Sequence, residues 1–357
     1  MTSISHARSE RIIVGVDTHK YAHVAVALNQ IGGRLAETTI TVNTDGYRQL
    51  EQWAQTLGDR VTFGIEGTGS YGAGLASYLR RRGHRVVEVV RPDRQQRRLR
   101  GKNDALDAEN AARAVLAGTA TAVPKTGDGC VEMIRQIKIA KDTAVKSRSQ
   151  AMITLKTIIV NAPAELREEL DRLPDRKLIE YCAQLSYESM STPADAARYV
   201  LAALARRHRS LSQEIDIHQR VLQTLTERAA PELTSAFGIG ADSAAELLIV
   251  AGDNPERIRS EAAFAKLCGV CPIPASSGKT TRHRLYRGGH RHANAALHRI
   301  TLIRMRFHEP TINYVTRRTK EGKTKSEIMR CLKRFIAREI YHIIAENNQT
   351  VIRTSAA

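Results

Sequence analysis

Arg11-Ile-Ile-Val-Gly-Val-Asp17 and Val61-Thr-Phe-Gly-Ile-Glu66 decide the fold: each is a short apolar run that ends on a carboxylate. Runs of this length and composition read as β-strands. Between them, His23 to Leu28 alternates, Ile31-Gly-Gly-Arg34 turns the chain, and Leu35 to Val42 reads as another strand. Asn43-Thr-Asp-Gly46 opens a helix through Leu57, with Leu50, Trp53 and Leu57 on one face. Ser70 to Arg82 reads as a helix stopped by Gly83, and Arg85 to Val90 as a fifth strand. Three strands followed by strand–helix alternation predict an α/β domain with a mixed sheet.

Beyond it, residues 104–117 form an Ala-rich helix, and the stretch from Val131 to Arg228 is mainly helical. Within that stretch Ala197, Leu201, Leu204, His208, Leu211, Ile215, His218, Leu222 and Leu225 recur at alternating steps of four and three. This heptad seam predicts a coiled-coil-like helical hairpin or a dimer seam rather than a ligand site. Thr192-Pro193-Ala-Asp195 caps it, with hydroxyl at N-cap, Pro at N1 and carboxylate at N3. A third, mainly helical region begins near Pro231, closes with two helical stretches and leaves a frayed tail from residue 350. The expected domains are 11–125, 126–230 and 231–349.

With 357 residues the chain holds two or three cores, and its 42% hydrophobic and 26% charged shares fit a globular protein. No apolar run approaches membrane-spanning length, and Met1 to Glu10 lacks the apolar core of a signal peptide. Five cysteines do not make a disulfide framework, so a reducing cytoplasm is the expected compartment. The 55 Lys and Arg against 37 Asp and Glu give a net charge of +18, which suits a polyanion, most simply nucleic acid. Aromatic residues are only 4%, so binding is expected to lean on phosphate contacts and to be salt-sensitive.

Four carboxylates stand out in this basic chain: Asp17 and Glu66 at strand ends, and Asp104 and Asp107 three apart at a helix start. Strand-end carboxylates of an α/β sheet face the crevice where ligands bind. As bare charges the four would repel one another and DNA. Mg²⁺, which prefers oxygen ligands and bridges carboxylate to phosphate, resolves both problems. A pair of such ions, with Mn²⁺ as a substitute, can stabilise attacking and leaving oxygens in phosphodiester cleavage. Singly, each carboxylate has a plainer explanation as a turn residue or a partner of the helix dipole. In the order strand-Asp, strand-Glu, helix-Asp-x-x-Asp they resemble the RNase H/RuvC nuclease layout, which Asp45, Glu88, Asp93 and Glu109 do not fit.

Phe237-Gly-Ile-Gly240 before an Ala-rich helix resembles the turn of a helix–hairpin–helix element, where Gly238 and Gly240 let backbone approach phosphate. Ser276-Ser277-Gly278-Lys279-Thr280 fails as a P-loop because position 273 is Ile. A serine on this loop, beside guanidinium groups, is instead a candidate nucleophile towards phosphorus, the alternative being a plain loop. Cys268-x-x-Cys271 with His290 and His292 is a weak zinc pattern. Basic runs supply candidate backbone contacts: Arg94, Arg97, Arg98, Arg100 and Lys102 before the Asp pair, and Lys279, Arg282, Arg284 and Arg287 after the serines. A further run, Arg317 to Arg338, reads either as a solvated helix face or as a DNA or RNA contact.

Val14-Gly-Val-Asp17-Thr-His-Lys20, Ile65-Glu66-Gly-Thr-Gly-Ser-Tyr71 and Lys102-Asn-Asp104-Ala-Leu-Asp107 together resemble the three blocks of the DEDD domain of IS-one-ten family insertion-sequence transposases. Phe237 to Gly240, Phe264-Ala-Lys-Leu-Cys-Gly-Val-Cys-Pro272, Ser277-Gly278 and Gly289-His290 resemble that family's C-terminal domain. Cys268 and Cys271 stand where small or hydroxyl residues are expected. The resemblance implies a RuvC-like metal site of Asp17, Glu66, Asp104 and Asp107. It also implies a serine, by motif position Ser277, that forms a 5′-phosphoserine link to DNA. It implies as well that the two sites combine between protomers of a dimer or tetramer, and that a bridge RNA pairs with donor and target DNA. The resulting expectation is a DNA transposase or recombinase, with an RNase H-like α/β domain, a helical hairpin and a helical C-terminal domain. The rivals are a RuvC-like nuclease that uses water and a non-catalytic nucleic-acid scaffold.

Overall fold

The computed structural model describes residues 11–89, 103–186, 189–278 and 283–355, with side chains of the last helix described as far as Glu346. The chain divides into two compact units, one of residues 1–128 with 252–257 and one of residues 129–251 with 258–357.

The first unit is built on β1 (Arg11–Thr18), β2 (Ala22–Leu28), β3 (Arg34–Thr41), β4 (Arg60–Glu66) and β5 (Arg85–Val89). Their order in the sheet is β3-β2-β1-β4-β5, with the first three antiparallel and β1, β4 and β5 parallel, which is the expected mixed sheet. Helices α1 (Thr44–Leu57) and α2 (Ala73–Arg81) share a core with Ile12, Val14, Val16, Phe63 and Ile65. Helix α3 (Asp104–Leu116) shares another with Ile13, Val26, Leu28, Val87 and Val89. A sheet covered on both faces explains why β1 is apolar at consecutive positions rather than alternating.

Side chains alternate between faces along a strand, so the α3 side of β1 carries positions 13, 15 and 17, and that of β4 carries 62, 64 and 66. Gly15 and Gly64 are register partners on that side. A Cβ on Gly15 would overlap the Ala108 carbonyl and the Ala112 backbone, and one on Gly64 would strike Val115 and crowd the Ala111 carbonyl. The two glycines therefore let the Ala-rich face of α3 lie directly on the sheet. Gly15→Ala is expected to lower stability by roughly 3 kcal/mol, because the obstacle is helix backbone that cannot rotate away. Urea denaturation with Mg²⁺ absent measures it, and an unchanged midpoint would show that α3 can shift freely.

The second unit pairs α4 (Cys130–Val160) with α7 (Pro193–Ala229), joined by α5 (Ala164–Asp171) and α6 (Asp175–Gln184). The contacts Cys130 to Leu225, Lys141 to Gln219 and Arg148 to Ser212 run in opposite directions along the two helices, so the pair is antiparallel. Every seam residue from Ala197 to Leu225 is withdrawn from solvent, with Leu201 and Leu222 fully buried. The capping box forms: the Asp195 N–H donates to Thr192 Oγ1 at 3.2 Å, and Thr192 N–H donates back to Asp195 Oδ2 at 2.9 Å. The helical pair also shares a core with the C-terminal helices. Ile134 and Leu222 pack with side chains of α8 (Pro231–Ser235), α9 (Ala241–Ala251), α11 (Arg291–Phe307) and α13 (Lys325–Ser355). Helix α13 continues through Ser355 instead of fraying from 350, for the sequence there contains no Gly or Pro to stop it. Helices α10 (Glu261–Leu267) and α12 (Glu309–Lys320), with the two-stranded ribbon β6 (Pro272–Pro274) and β7 (His283–Leu285), complete the unit.

Candidate active site

Asp17 is the first residue past the last paired position of β1 with β4, Val16 opposite Ile65, and Glu66 holds the same place on β4. The two carboxylates thus leave parallel neighbouring strands at one edge and on the α3 face. The Thr18 hydroxyl donates to the Glu66 carbonyl at 2.9 Å and ties these strand ends together. Helix α3 begins at this edge, where Asn103 caps it by accepting from the Ala105 N–H at 3.0 Å. Its first turn carries Asp104 and Asp107 towards Asp17. Asp17, Glu66 and Asp107 are buried, at 7%, 7% and 6% exposure, and Asp104 is half-buried.

Burial raises the Asp17 carboxyl above its ordinary range, and the neighbouring Asp107 and Asp104 raise it further, while His19 opposes them. A positive ligand among these carboxylates would relieve that repulsion. Glu109 lies outside the cluster and pairs with Arg113 at 2.6 Å and Arg34 at 3.6 Å.

His19 was not singled out from the sequence. Its Nε2 lies 3.1 Å from Asp17 Oδ2 and 3.4 Å from Asp104 Oδ2, buried but without a hydrogen bond of good geometry. The backbone bond from His19 N–H to the Ala22 carbonyl, at 3.2 Å, turns the chain between β1 and β2 and holds the ring over the strand end. The signal was the Asp-x-His spacing, visible only once a turn follows at once. Asp17, His19 and Asp104 offer ligand atoms close enough to share one cation. Carboxylate oxygens suit a hard divalent cation, with the imidazole beside them able to support the site. Substituting His19→Ala is expected to raise the Mg²⁺ concentration needed for half-maximal DNA cleavage about 10–100-fold, the usual effect of losing a group that supports a metal site. A Mg²⁺ titration of cleavage reads this, and an unshifted curve would reduce His19 to a filler of the crevice.

A second cluster of Asp142, Glu246 and His292 in the other unit already contains a cation. Buried Lys138 bonds to Asp142 and lies 3.1 Å from Glu246. Cys268 does not join a metal cluster among the described residues. It is packed in the core, and burial pushes its thiol pKa up to about 12.

In the second unit, Phe264 is buried in the core, and Gly269 at φ +68 meets Gly289 backbone to backbone. The His290 N–H donates to the Leu267 carbonyl at 2.6 Å, and the Asn294 amide donates to the Cys268 and Gly269 carbonyls at 3.1 and 2.9 Å. This crossing fixes both ends of the β6–β7 ribbon. Ser276 and Ser277 are exposed in its connection, and Gly278 follows at φ +57, a left-handed conformation that suits glycine. Arg284 and Arg287 are exposed on and after β7, whereas Lys279 and Arg282 lie outside the described residues, as do Arg94, Arg97, Arg98, Arg100 and Lys102.

Gly238 takes φ +78 in the turn between α8 and α9 and packs on Ile303. Arg304 braces the turn: its Nε donates to the Phe237 carbonyl at 2.9 Å, and its two terminal nitrogens grip Glu339 at 2.7 and 2.8 Å. Gly240 ends the turn with open space where a Cβ would stand.

Residues 14–162 match the DEDD transposase family of the IS110 (IS-one-ten) group. Residues 230–316 match the Transposase IS116/IS110/IS902 family. The chain belongs to the IS110 family of transposases. None of the curated proteins matches it. Family membership makes the chain a DNA transposase enzyme, and the DEDD class implies use of divalent metal. The crowded carboxylates, with His19 Nε2 between Asp17 and Asp104, form a donor set that fits such an ion. Among the described residues no helix is long and apolar enough to cross a membrane.

Proposed function

We propose that this IS110-family transposase is a metal-assisted serine recombinase of an insertion sequence, guided by a bridge-type RNA. Asp17, Glu66, Asp104 and Asp107 would hold the metal, with His19 beside them. The ion supplies Lewis-acid polarisation of phosphoryl oxygens. Ser277 is the nucleophile. Its Oγ bonds to phosphorus as the bond from phosphorus to the 3′ oxygen breaks, and the hydroxyl proton ends on that 3′ oxygen. The products are a 5′-phosphoserine and a free 3′ hydroxyl. Attack of another 3′ hydroxyl on the serine ester reverses the step and joins new ends, with no nucleotide hydrolysis needed. Lys279, Arg282, Arg284 and Arg287, which follow Ser277 within ten positions of sequence, offset charge on the phosphorane.

The observation that carries this reading is the convergence of the carboxylates on one sheet edge in a chain of +18 net charge. The RuvC-like sheet order and the Gly238–Gly240 turn as a phosphate contact belong to the same reading. So do the basic residues Arg94, Arg97, Arg98, Arg100 and Lys102 as guides for the strand, and assembly into dimers or tetramers. The test joins a donor plasmid carrying the abutted element ends to target DNA, with Mg²⁺ or EDTA, and with or without RNA transcribed from the element's flank. Recombinant junctions only with both Mg²⁺ and RNA support the reading. Junctions formed without RNA remove the guide, and cleaved ends without junctions favour a hydrolytic nuclease.

A further inference from the structure

A cavity of about 640 Å³ opens beside the β6–β7 ribbon. One wall is the ribbon with Cys271 and Arg284, and the other is α12, α13 and the turn between them, with Arg318, Lys323, Arg330, Lys333 and Arg334. Glu327 is the one carboxylate among its lining residues, and it is occupied capping α13 through the Thr324 N–H at 2.9 Å. Six Lys and Arg side chains therefore face a single carboxylate. Arg318 and Arg334 have acidic partners outside the lining, Glu321 and Glu261, yet Arg318 Nε and Arg334 Nη1 are buried donors without a hydrogen bond. Lys333 is half-buried, donates to the neutral Asn294 amide oxygen at 2.6 Å, and is pulled below its ordinary pKa by burial. Arg284 and Arg330 are exposed and make no ion pair among the described residues. So many cations brought together with buried donors left over is costly unless an anion completes the site.

Phe335 also lines the cavity, half exposed at 50%, edge-on to Tyr314 with ring centroids 5.8 Å apart. Cations that track a backbone, beside an aromatic face open to a base, are the combination that holds single strands. The volume is that of a small-ligand site, enough for a nucleotide or two.

We propose that this cavity binds a single strand of DNA, gripping the sugar-phosphate backbone with Arg284, Arg330, Lys333 and Arg334 and stacking a base on Phe335. Binding of a single strand stands on the cavity alone. The choice of DNA rests on the reading of Ser277, carried by the same ribbon, as the residue that attacks a DNA strand. The cavity then holds the nucleotides that flank the attacked phosphate.

The test measures binding of labelled oligothymidylate and oligouridylate, and of a duplex, by fluorescence anisotropy in EDTA, so that the metal site takes no part. Wild-type protein is compared with Arg284→Ala/Arg330→Ala, with Phe335→Leu, and with a control, Arg176→Ala/Arg228→Ala, that removes equal charge elsewhere. Both cavity arginines are exposed, so the fold is expected to survive, which circular dichroism checks. The cavity double variant is expected to bind oligothymidylate at least tenfold more weakly and to lower the salt slope by about 1.4, or about 0.7 per lost phosphate contact. Phe335→Leu should weaken the single strand but not the duplex. Oligothymidylate should also protect Cys331 from alkylation, Cys331 being half-buried in the cavity wall. Equal losses in the cavity and control variants, or an unprotected Cys331, would overturn the proposal. Preference for oligouridylate would overturn the assignment to DNA. Loss of strand binding with Ser277→Ala recombination intact would instead leave the cavity standing and remove the serine reading.

Discussion

Replacing Asp17 by Asn is expected to cut DNA cleavage by at least about 10³-fold while leaving the protein folded. The magnitude follows from the several kcal/mol of charge stabilisation that a catalytic metal supplies, at about 1.4 kcal/mol per tenfold. Folding survives because Asn fills the same space, and burial together with Asp107 and Asp104 already works against the Asp17 charge. The same variant separates binding from catalysis. In wild-type protein Mg²⁺ is expected to raise the thermal midpoint, since a ligand that binds only the native state stabilises it. In Asp17→Asn that rise should vanish, and the metal-free midpoint should stay at or slightly above that of the wild type. Calorimetry with and without Mg²⁺ measures both. A variant that still responds to Mg²⁺ as the wild type does would place the ion elsewhere.

Ser277→Ala should abolish the covalent protein–DNA adduct outright, because no other group is proposed to form the ester. Adduct and joined product should both fall below detection, while Mg²⁺ still raises the thermal midpoint as in the wild type. Ser276→Ala should retain both adduct and product, since the motif position directly before the left-handed Gly278 is that of Ser277. Denaturing electrophoresis of end-labelled DNA after reaction reads the two variants side by side. An adduct that persists in Ser277→Ala and disappears in Ser276→Ala would move the nucleophile by one residue.

The strand ends at Asp17 and Glu66, the cap at Thr192 and the seam from Ala197 to Leu225 were legible because each is a local pattern with a fixed period. The carboxylate set was legible through its order along the chain. Why Asp17, Asp104 and Asp107 come together was not. That depends on Gly15 and Gly64 being register partners, a pairing across 49 positions that no window of sequence displays. His19 escaped notice because its role comes from the tightness of the turn into β2, and an isolated histidine carries no such signal. The cavity beside the ribbon joins residues 270–272 and 283–285 to residues of the last two helices and the turn between them, so its cations read only as two separate basic runs. The long seam was compatible with pairing within one chain or between two. Its use against α4 follows from the antiparallel contacts of Lys141 and Arg148, which lie about 70 residues away from their partners.

The most direct measurement is peptide mapping of the trapped adduct. Wild-type protein reacts with Mg²⁺, guide RNA and a substrate carrying a nick just past the scissile phosphate, so that rejoining is blocked. The DNA is then digested and the protein analysed by mass spectrometry. A nucleotide remnant on Ser277, present with Mg²⁺ and RNA and missing in Asp17→Asn, is the expected result. A cleaved substrate with no modified residue would contradict a serine recombinase and leave a metal-dependent nuclease that uses water.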